Sequence, residues 1–482
     1  MMTREIRRRV LLGLVLILAG ATAVSSGELP ERRFRAGAAT SNITPPLDIP
    51  IVGGWGQPLA RDVHDELHVR CLVLDDGATR LAFVVVDNIG MPREIYDMAK
   101  PVIQEKTGIP TTHVMCACTH THSSISARAE TKTMPSESMS EYQSFVIHRI
   151  VAAVRCAVNN LQPARIGWGL GHEPSQVFNR RYFMKPDTPT PNPFGGTDRV
   201  VMNPGRGNPN ILKAAGPIDP EIPFLAVKSC DGRPLALLAN YALHYVGPGK
   251  GDTISADYFG VFADRIQELL GADRQQPPFV GMLSNGCSGD INNINWLQKP
   301  TSRPAPFEQM TKVAHAVAEE VFRACQDMTF TDWVELKVQQ TELTLSARKP
   351  TAEQVAYARA VLKKPSDAEA YHKREQNYAR RVLKMRESPE TVEIILQAFR
   401  VGDLGVCAIP FEVFVEIGLE LKEKSPFGQT MVLSHANGSY GYLPTVQQHQ
   451  WGGYETWMGT NNVEVRAAFK IKRSLLDMLG RL

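Results

Sequence analysis

The sequence has little surplus charge of either sign. Lysine and arginine total 53 against 50 acidic residues, a net charge of +3 over 482 residues. Several of those positive charges, Arg4, Arg7, Arg8 and Arg9, crowd the N-terminus, so the remainder is almost neutral. Phosphate recognition needs a clustered basic surface, and none is present, which excludes a nucleic-acid partner. No CxxC pair occurs among the eight cysteines. Most lie in apolar runs such as 404–409, where a thiol packs as a small hydrophobe, so they read as structural. If the protein is exported, the even count permits disulfides, but their pairing cannot be read from spacing. The chain also lacks internal repeats, a low-complexity linker and an EF-hand spacing. With 43% hydrophobic and 21% charged residues it is neither disordered nor a polytopic membrane protein.

What is present begins at the N-terminus. The basic residues Arg4 to Arg9 precede an apolar run, Val10 to Ala19, and the small-x-small site Ala21-Thr22-Ala23. The run is shorter than the roughly 20 residues that span a bilayer. Residues 1–23 therefore read as a secretory signal peptide, with an uncleaved N-terminal anchor as the alternative. Export to the periplasm or medium follows, with no stable membrane span after the signal is removed.

Length alone suggests about three domains. Apolar β-branched stretches at 67–74, 81–86, 113–118, 234–242, 279–283, 403–409 and 430–434 predict strands, and 93–107, 142–161 and 258–270 carry helical periodicity. This alternation, without linkers, favours one large α/β domain over residues 24–482. Residues 183–217, rich in Pro, Gly and Asn, are expected to form a long loop. The charged stretch 351–400 is expected to be a solvated helix pair or insertion.

The chemistry concentrates where strands end, the usual place for functional groups in α/β folds. His120 and His122 follow the strand ending at Cys118. If the strand continues, residues two apart share a face and both imidazoles address one metal or substrate. His244 follows another strand, Glu412 follows Ile409-Pro410-Phe411, and Tyr442 follows the strand at 430–434. Two histidines and a glutamate suit a hydrolytic zinc with an open position. Taken singly, His244 reads equally well as a satisfied core histidine and Glu412 as a helix N-terminal carboxylate. The loop 284–293, Ser-Asn-Gly-Cys-Ser-Gly-Asp-Ile-Asn-Asn, could present backbone donors to an oxyanion or brace itself as an Asx-rich turn.

Together these segments resemble one family, the neutral/alkaline non-lysosomal ceramidases, over roughly residues 35–470 of the family's N-terminal catalytic domain. The matching motifs run in order. They are Ile43-Thr44-Pro45-Pro46, Phe83 to Asp87, Thr119-His120-Thr121-His122-Ser123, Asn179-Arg180, Asp219-Pro220-Glu221, Asn240 to His244, Ser255-Ala256-Asp257, Asn285 to Asn293, Ile409 to Glu412, Asn437 to Tyr442 and Tyr454-Glu455. The resemblance implies a single mixed-sheet α/β domain and one zinc ion per chain, held by His120, His244, Glu412 and Tyr442. It implies cleavage of an N-acyl amide in a small-molecule or lipid-like substrate. His122 would face the substrate as general acid or oxyanion stabiliser, and Asp290 and Asn292 would lie at the active site.

The departures bear on activity. Where the family carries a serine proposed as nucleophile, this sequence has Asn292, and an amide cannot attack. Water is then the expected nucleophile. The stretch Ser124 to Arg128 replaces a Gly-rich rim, so the substrate is expected to differ from ceramide, and the family's C-terminal immunoglobulin-like domain is expected to be missing. Two alternatives stand beside an amidase: a zinc esterase or hydrolase of amidated envelope or carbohydrate material, and an inactive binding protein on the same fold.

Overall fold

Alternate residues of the strand Arg80–Val86 enter two different cores. Phe83 and Val85 pack with Leu72, Leu74, Met115 and Ala117, whereas Val84 and Val86 pack with Val73, Cys116 and Cys118. That period of two, with apolar residues on both faces, marks a strand inside a sheet covered on both sides. The computed structural model bears this out and describes residues 33–54, 56–127, 141–300, 302–365 and 367–482. The expected signal peptide, and Arg128 of the altered rim, lie outside the described residues.

Residues 33–482 form one compact unit around a large mixed sheet of eight strands. In spatial order these are Val280–Asn285, Pro234–Tyr241, Glu221–Ser229, Gln162–His172, Arg35–Asn42, His68–Asp75, Arg80–Val86 and Val114–Cys118. The six inner strands pair antiparallel, and only the two edge strands pair parallel with their neighbours. The glycines show what covers each face. A side chain at Gly37 would strike Ala157 of the helix Glu141–Asn159, one at Gly171 would meet Glu320 of the helix Glu308–Gln326, and one at Gly281 would strike Ala263 of the helix Asp257–Leu269. The opposite face carries Trp168, which lies under Gly402, and Phe83, whose ring lies 5.3 Å from Phe399. Those partners belong to a second sheet of Leu336–Ser346, Thr391–Val401, Leu404–Ala408 and Gln429–Leu433. Its own outer face is closed by the helices Val415–Lys424 and Ala467–Leu479. The result is a layered α/β sandwich, helix–sheet–sheet–helix. No helix among the described residues is long and apolar enough to cross a membrane.

Two local expectations change. Residues 183–217 are not one loop: Arg181–Met184, Val200–Met202 and Ile211–Ala214 pair into a small three-stranded sheet. The charged stretch does begin as a helix pair, Ala352–Leu362 and Glu375–Glu387, with Val355, Ala358, Ala379 and Val382 buried between them. Its last part, Thr391–Val401, is instead an inner strand of the second sheet, because Ile394, Leu396, Ala398 and Phe399 alternate between two cores. All eight cysteines are free thiols.

Candidate metal centre

The strands that end in parallel pairs deliver the site. The large sheet's edge strand stops at Cys118, and Cys118 N–H donates to the carbonyl of His435 beyond the second sheet's edge strand. Ser434 N–H donates to Asn285 O, and Asn285 Nδ2 reaches Thr119 O at 3.1 Å. The C-terminal ends of both sheets are thus laced together, and the loops after them hold the candidate residues.

His120 does not lie on a continued strand. The chain turns after Cys118, and His120 adopts a positive φ of 70°, a conformation few non-glycine residues take. The expected strand geometry for the pair is therefore wrong, yet both rings converge. His122 Nε2 lies 3.0 Å from His120 Nε2, and His244 Nε2 lies 3.2 Å from it. The ring nitrogens of His120, His122 and His244 lie within 4.8 Å of one another, a group that could hold a metal ion.

The tautomers of two rings follow from their partners. His120 Nδ1 meets the carbonyl of Ile89 and His244 Nδ1 meets that of Ser288 at 3.1 Å. A carbonyl only accepts, so each Nδ1 carries a hydrogen and each Nε2 is the ring nitrogen turned into the site. Glu412 Oε2 is buried, makes no hydrogen bond, and lies 3.5 Å from His120 Nε2 and 3.9 Å from His244 Nε2. Basic atoms facing one another at this range can share a cation. Two imidazole nitrogens and one carboxylate are a donor set that fits a divalent ion with ligand positions to spare.

Electrostatics agree with that fit. Burial, with Arg180 and the neighbouring histidines, pushes the His244 pKa well below its usual value, so the ring stays neutral. Burial alone would raise Glu412, but His120, Tyr442 and Arg180 hold it below the usual range. Burial beside Glu412 pushes the Tyr442 phenol well above its usual value. Arg180 donates to the Tyr442 hydroxyl at 3.1 Å, to Gly289 O at 2.7 Å and to Glu455 Oε1 at 2.9 Å. Arg181 binds the other oxygen of Glu455 at 2.6 Å, which closes a buried Arg–Glu–Arg group.

The hydrogen bonds of Asp290 and Asn292 go to groups other than the histidines. The Asp290 carboxylate accepts from Val415 N–H at 2.8 Å and Asn179 Nδ2 at 3.0 Å, and burial pushes its pKa up to about 7. Asn292 Nδ2 donates to Asn203 Oδ1 at 3.2 Å, while its Oδ1 accepts from Ile294 N–H at 3.0 Å. Both side chains brace loops.

Three contributors were missed from the sequence. Tyr245 stacks on His122 with centroids 3.6 Å apart and 14° between planes. Gly53 faces the same ring, and any Cβ there would sit 2.6 Å from it. His435 stacks on His120 at 4.1 Å. An aromatic directly after His244 and a glycine pair at 53–54 were the available signals; nothing local marked His435.

Fold and site together define an α/β protein of the neutral ceramidase fold with a buried three-histidine group at its strand ends. Among solved structures, the chain is similar to the neutral ceramidase from Pseudomonas aeruginosa, with a TM-score of 0.68 and 17% identity, over 93% of this chain and 74% of that one. It is also similar to a ceramidase complexed with C2, with a TM-score of 0.66 and 16% identity, over 93% and 75%. No family model matches the chain. The likeness expected from the motifs thus holds at the level of the fold.

Proposed function

We propose that this chain is an exported, zinc-dependent hydrolase that cleaves a linear N-acyl amide, with water as the nucleophile and a substrate other than ceramide. The observation that carries this reading is the meeting of the ring nitrogens His120 Nε2 and His244 Nε2 with the buried Glu412 Oε2, which has no hydrogen-bond partner. One zinc ion would be held by His120, His244, Glu412 and Tyr442. Zinc bound there supplies Lewis acidity toward a carbonyl and a water of lowered pKa.

The remaining residues supply binding and proton transfer. His122 is the one partly exposed member of the histidine group. Packed against Tyr245 and close to Gly53, its ring would pass a proton to the leaving amine. Arg180, fixed by Glu455 and Gly289, orients the Tyr442 hydroxyl. Asn292 offers no nucleophile and is committed to the loop, in keeping with attack by water.

Metal analysis of the purified full chain tests this reading. We expect about one zinc per chain, lost in His120→Ala and in His244→Ala. A preparation that is metal-free, and gains no thermal stability from added zinc, overturns the zinc site. With zinc present, parallel panels of N-acyl amides and esters separate amidase from esterase. Saturable binding without turnover in either panel would favour the non-catalytic reading.

A further inference from the structure

Several tyrosines packed near the strand ends spend their hydroxyls on the protein. Tyr142 donates to Ile43 O at 2.9 Å, Tyr241 to Glu173 O at 2.6 Å and Tyr258 to Leu243 O at 2.8 Å. The Tyr442 hydroxyl accepts from Arg180 at 3.1 Å. Tyr245 is different. Its hydroxyl makes no hydrogen bond among the described residues, and the oxygen is not sealed from solvent. A tyrosine whose ring is packed usually finds a partner for its O–H, so this donor is unspent.

The rest of Tyr245 is fixed in place. It follows His244 directly, and the next two amides, Val246 N–H and Gly247 N–H, donate to Asp257 at 3.3 and 2.8 Å. Phe307 N–H then closes on Pro248 O at 2.8 Å. The ring lies flat on His122, 3.6 Å between centroids, and 5.3 Å from the ring of His244. Two of the three histidines of the candidate centre therefore border this phenol. Among the charges that act on it are those of Arg180 and Glu412, both groups of the same site.

A phenol is a neutral hydrogen-bond donor near pH 7. In an amide the nitrogen lone pair is delocalised, so the carbonyl oxygen is the atom that accepts. Negative charge gathers on that oxygen when water attacks, and a donor already fixed in place stabilises it without reorganisation. We propose that Tyr245 is a catalytic residue whose hydroxyl donates to the carbonyl oxygen of the acyl group being cleaved, while its ring packs His122 beside the leaving nitrogen. This inference rests on the hydrolase reading for its substrate, but the hydroxyl can be tested apart from it.

Tyr245→Phe removes only the hydroxyl, and Tyr245→Leu removes the ring as well. The zinc-loaded full chain is assayed with N-lauroylethanolamine, N-lauroylglycine and N-butylbutanamide. Tyr245→Phe should keep its zinc and thermal midpoint and lose about a hundredfold in kcat, with KM changed less than about threefold. Tyr245→Leu should lose more, because His122 loses its packing too. A Tyr245→Phe enzyme with the wild-type kcat, or one whose loss lies wholly in KM, overturns the proposal. Loss of zinc or of the fold in that variant also overturns it, because the hydroxyl would then serve the protein itself. If none of the three amides is cleaved, the amidase reading fails, and calorimetric titration with acetohydroxamate, a zinc chelator that carries a carbonyl oxygen, decides the hydroxyl. Binding that weakens severalfold in Tyr245→Phe supports the donor. Equal binding by both proteins, or none by either, overturns it.

Discussion

The ring of His122 is packed against two neighbours. Tyr245 lies flat on its ring, and the bare backbone of Gly53, at a φ of 112°, comes close to it. Gly53→Ala adds a methyl where no space exists and where a positive φ already disfavours any side chain. We expect that variant to keep its zinc and lose activity about as far as His122→Ala does, on the order of 10² to 10⁴ in kcat. Zinc content and kcat measured on the same preparations check this, and loss of metal from His122→Ala would make His122 a ligand. At this scale the sequence was partly legible. The HxH spacing marked two residues whose rings do meet, but not by strand alternation: His120 leaves the strand at a positive φ, and no alternation rule describes that. Tyr245, Gly53 and His435 act through stacking, which depends on the approach of segments far apart in the chain.

Elements carry the site by their ends. The strand at 178–179 and the turn at 454–456 are clamped by Arg180, Arg181 and Glu455, all buried. Removing the one anion from between two guanidiniums leaves buried charge unanswered. Glu455→Gln should therefore cost about 3–5 kcal/mol in chemical denaturation. A loss below about 1 kcal/mol would show that water already reaches the group. Asp290 ties the loop 284–293 to the start of the helix Val415–Lys424, and its pKa of about 7 lies above the unfolded value of about 3.9. The folded chain then binds the extra proton between those values, so stability falls as pH rises from about 4 to 7. Asp290→Asn should flatten that slope in denaturation series, and an unaltered slope would assign it to other groups.

Element type was readable where strands and helices were strongly periodic, as at Arg93–Thr107 and Pro234–Tyr241. It failed at Thr391–Val401, where charge density to its N-terminal side suggested helix although the apolar residues alternated.

At the scale of the whole molecule, a divalent ion at the site would bind the folded state alone and stabilise it by mass action. Chelation should lower the thermal midpoint, by an amount corresponding to about 2.7 kcal/mol if free zinc stands a hundredfold above its dissociation constant. His244→Ala should be insensitive to the same chelator, as scanning calorimetry with and without it would show. The motif order along the sequence already implied that distant strand ends meet. What it could not convey was the two-sheet sandwich, because pairings such as Ser434 with Asn285 have no local signature.

The lacing of the two sheets also sets an order of events in folding. The candidate donors stand at positions 120, 244, 412 and 442, and the ring of His120 is backed by His435. No partial chain ending before Tyr442 contains them all, and few local contacts could assemble them early. Capture of a metal ion by all four donors would therefore come last, after both sheets have formed and joined. In a chain that crosses a membrane unfolded, the ion would be acquired on the far side, so zinc occupancy would record that the entire fold, and not merely one half of it, had been completed.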